Sequence, residues 1–596
     1  MPTSKVKTIC DYVLEMPSRG DSVTALKSKV GGQWREFSWT DYFDQVSETA
    51  SALLSVGVKP GDRVAIMSGT RLEWSVCDYA IMGIKAVTVP LYQTVTGEDL
   101  IHILSNSASK VLFVENRQLL KQFFSVRDKC PSIEKVVCFE PVRETDLEVM
   151  TWNDFYALGK QERPERQSEF ESLCGSTELQ DMATIIYTSG TTGTPKGVVI
   201  THEQILSEVS EAFPYVGATS EDISLSFLPY AHVLGRIEHW GHVFIGFQMA
   251  YAESIEKVRL NLPEIKPTIM ISVPRIFEKV YSTIYAQLGN NAFRKKAFQW
   301  ALEVGLKVGE HRLNRQPISV QLFVEYQLAQ KLVLNKVREA FGGRLRFAIS
   351  GGAPISKEIE LFFHACGILI LEGYGLSETT AAICVNTPFN YRFGSVGKPV
   401  GETQIRIAED GEILVKSKKV MREYYQDPVA TEAVMSDGWF HTGDIGEFLP
   451  SGDLRITDRK KDLIKTAGGK YVAPQKLENL LKLDSIVSQV LIHGDNKKYI
   501  VALLTLDPTG LKNFAEEKNL SYQDKSSLAQ HPLVLERVRK AVAETNTQLA
   551  SYETIKRFSI LNQEFTVENG ELTPSLKVKR KFLDQKFKKQ LDALYS

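Results

Sequence analysis

The chain has 596 residues, of which 43% are apolar, enough to bury a large core spread over several domain units. Its 71 Lys and Arg nearly cancel its 72 Asp and Glu, so there is no overall field for nucleic acid, and nucleic acid is excluded as an expected partner. Residues 1–7 lack an apolar signal core, no uncharged run approaches a membrane span, and the cysteines at 10, 77, 130, 138, 174, 366 and 384 show no C-x-x-C spacing. The expectation is a cytoplasmic protein in a reducing compartment, with peripheral contact to a membrane left open. From residue 37 to residue 91, helix-like and strand-like segments alternate, which predicts α/β layering. Residues 182–186 and 198–200 are short apolar runs of strand type.

Between those runs lies Tyr187-Thr-Ser-Gly-Thr-Thr-Gly-Thr-Pro-Lys-Gly197, a segment with almost nothing to bury. Gly190, Gly193 and Gly197 permit close backbone approach, so that N–H groups can converge on an anion. Thr188, Ser189, Thr191 and Thr192 add hydroxyl donors, and Lys196 adds a charge. The segment reads as a phosphate-handling loop, but not as a Walker P-loop: the second glycine position is Pro195, and Gly197 stands where a magnesium-binding hydroxyl belongs. It resembles instead the signature loop of the adenylate-forming superfamily, which includes acyl-CoA synthetases, luciferases and the adenylation domains of peptide synthetases.

Further motifs follow in the order this resemblance requires. His232, in Leu228-Pro-Tyr-Ala-His-Val-Leu-Gly-Arg236, matches a family position beside the acyl carboxylate, although a lone histidine is as often structural. Nearby Phe213, Tyr215, Val233, Trp240, Phe244 and Phe247 could line an acyl tunnel or be ordinary core. Residues 281–341 read as helices, with Tyr326, Ala329, Val333, Val337 and Ala340 on one face. Ser350-Gly-Gly-Ala-Pro-Ile355, after a strand-like run over 345–349, looks like the adenine-side loop, where Gly351, Gly352 and Ala353 let a flat base lie on backbone. Gly373-Tyr-Gly-Leu-Ser-Glu-Thr-Thr380 resembles the motif in which the tyrosine stacks on adenine and the glutamate holds magnesium. The resemblance thus assigns Gly373, Tyr374, Gly375 and Ser377 to the nucleotide, and Glu378 with Thr188 to Mg²⁺, a hard cation that takes oxygen ligands. In isolation, Glu378 could instead cap a following helix, the less common outcome for this motif.

Residues 437–461 are similar over their whole length to the fatty-acyl-CoA synthetase signature, a subset of the superfamily. Asp444 offers an acceptor pair suited to ribose hydroxyls and Arg459 a rigid donor fork for the sugar or a phosphate; alone, the two would more often be a surface ion pair. Residues 458–465 resemble the family hinge, with Lys461 as pivot, and Gly468 and Gly469 match a turn that approaches the pantetheine of CoA. Gly570-Glu-Leu-Thr-Pro-Ser-Leu-Lys577 resembles the motif bearing the adenylation lysine, with Leu576 where most of the superfamily has glycine. Lys579 is its rival, two residues on along the same strand face.

The resemblance covers nearly the whole chain and implies an α/β fold: a large N-terminal domain of β-sheets layered with helices over 1–457, a hinge over 458–461, and a small mobile C-terminal α/β domain over 462–596. It implies a ligase that activates a medium- or long-chain fatty acid through acyl-AMP to acyl-CoA, with ATP and CoA as co-substrates and Mg²⁺ as cofactor. The catalytic set is Lys577, Glu378, Thr188 and His232. The alternatives are an acyl-AMP ligase that loads a carrier protein and a catalytically silent lipid or nucleotide sensor. Oligomeric state is not readable from the residues.

Overall fold

Short β-branched runs bounded by turns make the sheets of the computed structural model, which describes residues 7–142, 149–188, 194–288, 291–522, 524–566, 569–573 and 578–596. β1 (Arg63–Met67) leads through the buried helix α1 (Leu72–Gly83) to β2 (Val87–Leu91), and β3 (Val111–Val114), β4 (Lys135–Cys138), β5 (Val149–Thr151), β6 (Met182–Thr188) and β7 (Lys196–Thr201) follow. They lie in the order β7-β6-β2-β1-β3-β4-β5. β1 to β6 run parallel; β7 turns back on β6 and pairs Lys196 with Thr188. Every residue of β2 is buried, as a parallel strand covered on both faces requires.

Thr201 ends β7 and caps α2 (His202–Tyr215), its side chain accepting from the Glu203 N–H. α3 (Val233–Ile245) begins at His232 and ends at Gly246 in the left-handed region. β8 (Ile269–Ser272) opens a second sheet, and the long crossover after it carries α4 (Ala292–Leu313) and α5 (Val320–Ala329). β9 (Phe347–Ser350), β10 (Ile370–Leu376), β11 (Ala381–Val385) and β12 (Lys398–Pro399) complete this sheet in sequence order, β8 to β10 parallel and the last two pairings antiparallel.

The third sheet is built around β13 (Glu412–Lys416), and the two-residue β14 (Glu423–Tyr424) leaves it to add an eighth strand to the first sheet, against β7. β15 (Trp439–Phe448) and β16 (Leu454–Arg459) return to the third sheet, with Asp444 directly opposite Arg459. Beyond Lys461, a hairpin of β17 (Ile464–Lys465) and β18 (Tyr471–Val472) precedes a sheet of β19 (Val487–His493), β20 (Ile500–Leu506) and β21 (Ile555–Ile560). This part has its own core, gathered from Ile464, Leu477, Val490, Leu504 and Val538.

The mixed α/β class expected from the sequence is the observed one. The strand expected over 345–349 is shifted to Phe347–Ser350, and the tyrosine motif begins inside β10 and runs into the 3₁₀ turn Ser377–Thr379 that follows it. Tyr326, Ala329 and Val337 are buried on the inward face of their helices, as their spacing predicts.

Candidate functional site

Strand β10 and the turn after it connect the motif residues. Its first anchor is Gly373, whose carbonyl faces Gly351 at the end of β9: a β-carbon added at Gly351 would stand 3.7 Å from the Gly373 oxygen and 3.3 Å from Leu234. Gly352, with φ at +78°, lies against His232, whose Cε1 would be 3.9 Å from an added β-carbon. The glycine pair therefore leaves a shallow floor beside His232, with Ala353 exposed at its rim. The His232 Nδ1 accepts from the Leu234 N–H at 3.1 Å, which leaves the ring proton on Nε2 in the neutral form.

Helix α3 is held firmly below His232. Arg236, one turn on, is fully buried between the rings of Trp74 and Trp240, 4.8 Å and 4.7 Å from their centroids. Its Nη2 donates to Asp78 of α1 at 2.8 Å, and His239 meets the same carboxylate at 3.1 Å. Burial raises the cost of ionising Asp78, but the Arg236 charge and the His239 bond outweigh it and hold its pKa below the ordinary aspartate value.

The second anchor is Tyr374, whose hydroxyl donates to Asp444 at 2.7 Å. Asp444 is buried and also takes the Arg459 Nε at 3.3 Å, so the two residues expected at the ribose are paired with each other across β15 and β16. Arg459 is 42% exposed, and a pair with one exposed partner is readily exchanged for ligand hydroxyls. Gly375, next on β10, has a strict steric reason to be glycine, since a β-carbon there would lie 1.4 Å from the Ala381 carbonyl oxygen.

The third anchor is Glu378, in the single 3₁₀ turn Ser377–Thr379. It does not cap a helix: its Oε1 accepts from the Tyr424 hydroxyl at 2.8 Å. The Lys196 ammonium sits 4.9 Å above the Tyr424 ring, and the Thr188 hydroxyl donates to the Lys196 carbonyl at 3.5 Å. Tyr424 thus joins the two motifs assigned to phosphate and Mg²⁺. Burial, reinforced by the Glu378 charge, pushes its pKa far above the ordinary tyrosine value, so it remains a donor. Sequence reasoning missed Tyr424: it lies on a two-residue strand with no polar spacing to mark it, and only the crossing of β14 to β7 brings it here.

A narrow cavity of about 50 Å³ lies under these loops, its lining entirely apolar, between α2, α3, β8, β9 and β11. Leu234 and Val385 line it and also lie against Gly351 and Gly373 respectively, so it abuts the floor that these glycines form. Phe213 lines it, seated on Gly241, where a β-carbon would meet its ring at 2.0 Å. The other candidate lining residues belong elsewhere: Trp240 packs on Arg236, Phe247 stacks on the far side of Phe213, Phe244 packs on Tyr12, and Tyr215 is exposed. Val233 is buried in the general core. Helical spacing put these side chains near the site without fixing which face they shared.

Ser189, Gly190, Thr191, Thr192 and Gly193 of the first loop, and Lys577, lie outside the described residues. Lys461 is exposed in a turn. The residue before it, Lys460, pairs with Glu412 at 2.8 Å. Gly468 and Gly469 lie at the tip of the β17–β18 hairpin: Gly468 would bring a β-carbon no closer than 4.0 Å to another atom, and Gly469, at φ +75°, faces open space. Asp458, the first residue of the segment expected to act as a hinge, is buried; desolvation pushes its pKa up to about 7, against the favourable bond from the Arg459 N–H and the charge of Arg580.

A carboxylate and a threonine hydroxyl are hard oxygen donors that fit Mg²⁺, which keeps waters and substrate phosphates as its remaining ligands. Among the described residues there is no cluster of three or more His, Cys, Asp or Glu side chains able to form an all-protein metal cage. All seven cysteines are buried free thiols. No helix among the described residues is long and apolar enough to cross a membrane.

The family model for AMP-binding enzymes matches residues 18–425, and that for the AMP-binding enzyme C-terminal domain matches residues 461–596. A long-chain-fatty-acid–CoA ligase of Mycobacterium bovis is 35% identical over 95% of this chain and 93% of its own. A peroxisomal long chain acyl-CoA synthetase of Arabidopsis thaliana is 32% identical, covering 94% and 82%. Among solved structures, the adenylation domain of a Mycobacterium chelonae carboxylate reductase aligns with a TM-score of 0.75 at 22% identity, covering 99% of this chain and 91% of that one. A fatty acyl CoA synthetase of Mycobacterium tuberculosis aligns at 0.63 and 20% identity, covering 98% and 99%.

Proposed function

Because the chain belongs to the AMP-binding enzyme family, we propose that it joins a medium- or long-chain fatty acid to CoA through an acyl-AMP intermediate, with release of pyrophosphate and AMP. The observation that carries this reading is the wholly apolar cavity whose walls, Leu234 and Val385, also support the floor formed by Gly351 and Gly373. An alkyl tail whose first methylenes enter there sets its carboxylate beside His232 and the nucleotide. The relatives named as long-chain-fatty-acid–CoA ligases support the same substrate class.

In the proposed first half-reaction, the carboxylate attacks the α-phosphate and pyrophosphate leaves. Lys196, Thr188 and the glycine loop over 189–193 hold the phosphates, Tyr374 and the floor over Gly351, Gly352 and Ala353 hold adenine, and Asp444 with Arg459 holds ribose. Glu378 and Thr188 would hold Mg²⁺, which when bound supplies positive charge against the phosphate oxygens. Tyr424 orients Glu378 for that task. Lys577 adds a charge where negative charge develops in the transition state. In the second half-reaction the CoA thiol attacks the acyl carbonyl and AMP leaves. For this, the C-terminal domain turns about Lys461, withdraws Lys577 and brings in Gly468 and Gly469.

The division into 1–457, a 458–461 hinge and 462–596 is part of this proposal; it is supported by the exposed Lys461 and the separate core that begins at Ile464. So are a cytoplasmic location and peripheral contact with lipid, the phase in which the substrate resides. The test supplies ATP, Mg²⁺ and CoA with fatty acids of graded length and follows AMP and thioester together. Chains beyond about eight carbons should outperform acetate by more than about a hundredfold, since each buried methylene contributes about 0.8 kcal/mol. Release of acyl-AMP without thioester at every length would replace this reading with an acyl-AMP ligase, and equal turnover of acetate and palmitate would remove the apolar tail from it.

A further inference from the structure

The crossover between β8 and β9 carries an apolar face that points outward. Val320, Phe323, Val324 and Leu328 of α5, and Leu332 in the π-helical turn Gln330–Leu334 that continues it, are 80%, 52%, 60%, 49% and 56% exposed. They recur at three- and four-residue spacing, on the side opposite the buried Tyr326 and Ala329. A helix apolar on both sides belongs in a core or against something else, and a contiguous exposed apolar face marks an interaction surface.

Its surroundings say what that partner is. Residues 291–344 hold ten Lys and Arg against four Asp and Glu, in a chain whose net charge is −1. Arg294, Lys295 and Lys296 are exposed in the first turn of α4, and Lys331 and Lys336 are exposed beside the apolar side chains. Arg315 is exposed in the turn before α5 and donates to the Phe389 carbonyl at 3.2 Å. A second copy of this chain is a poor occupant, since a two-fold contact would set each basic surface against itself. An apolar ridge among basic side chains suits an anionic bilayer surface, with the ridge in the acyl boundary and the lysines at the headgroups.

We propose that α5 and the turn after it dock this protein on anionic membranes. The placement is relevant to turnover, because the crossover joins β8 to β9, the parallel neighbours that wall the apolar cavity. The inference extends the peripheral contact included in the proposed function.

The experiment sediments the full-length protein with vesicles of phosphatidylcholine alone or mixed with phosphatidylglycerol, at low and high salt. Wild type should pellet with the mixed vesicles, weakly with the neutral ones, and less as salt rises. Val324→Glu with Leu328→Glu, and separately Lys331→Glu with Lys336→Glu, should each weaken binding at least about tenfold. All these positions are exposed, and octanoate-dependent AMP release without vesicles should be unchanged. Failure of wild type to pellet, salt-independent binding to neutral vesicles, or full binding by both double variants would overturn the proposal. So would a dimer that the Val324→Glu, Leu328→Glu variant dissolves without losing vesicle binding. Absence of octanoate turnover in wild type would remove the activity reading and leave the vesicle result to be judged alone.

Discussion

Around β10 the described motif side chains already have protein partners, whereas the hairpin between β17 and β18 holds Gly468 and Gly469 in open space. Tyr374 is bonded to Asp444, Asp444 to Arg459, and Glu378 to Tyr424. In the proposed reaction the difference is one of timing. Groups that must meet developing charge gain most from being fixed before the substrate arrives, since no reorganisation is then needed at the moment of reaction. A group required only for the second half-reaction would obstruct the first if it were fixed, and is better carried on a part that moves.

The largest expected effect separates those two parts. Lys577→Ala should lower acyl-AMP formation by roughly 10²–10³-fold and leave thioester formation from supplied acyl-AMP within about twofold. Lys461→Pro should do the reverse, because a fixed φ at the pivot opposes rotation. Single-turnover measurement of each step reads both, with Lys579→Ala as control. If Lys579 carries the adenylation defect, the lysine is misassigned; if both steps fall together in both variants, the division of labour is wrong.

Glycines test the same contrast in stability. Gly375→Ala should cost more than about 3 kcal/mol, because its β-carbon would overlap a backbone carbonyl that cannot retreat. Gly468→Ala, with nothing near it, should stay within about 0.5 kcal/mol and act instead on the KM for CoA. Denaturant unfolding of both, with thioester kinetics on the second, decides; equal stability losses would erase the distinction.

The join between the two parts should depend on pH. Asp458 ionises in the folded protein at about 7 instead of near 3.8, so between those values the folded state holds a proton that the unfolded state has lost. Its contribution therefore makes stability fall as pH rises from about 4 to about 7 and level off above. Other buried carboxylates, such as Glu208 and Glu238, are also pushed up to about 7 by desolvation, so the informative quantity is the difference between wild type and Asp458→Asn. That difference should change by roughly 2–4 kcal/mol over the interval. A flat difference would place the carboxylate in solvent.

The smallest effect concerns Tyr424. Tyr424→Phe removes one hydrogen bond to a carboxylate, worth about 1.5 kcal/mol or roughly tenfold, and should appear as weaker dependence on Mg²⁺ concentration in acyl-AMP formation with thioester formation unaffected. An unchanged Mg²⁺ dependence would make the Tyr424–Glu378 contact merely structural.

The sequence by itself determined the α/β class, the family, and the segments that carry the chemistry, because glycines, hydroxyls and charges that must sit in particular loops leave contiguous marks. It also determined the inward face of the helices over 281–341, because helical period is a local property. Only the tertiary structure decided what arises from distant contacts. Tyr424 lies beside Glu378 and Lys196 because a two-residue strand crosses to another sheet, and no local pattern encodes that crossing. Trp240 and Phe247 lie in the core and Phe213 lines the cavity because packing around Arg236 and Gly241 fixes which side of α3 each ring occupies. The outward face of α5 was likewise invisible, since Val324 and Leu328 have the spacing of core residues, and only the absence of a covering element among the described residues exposes them.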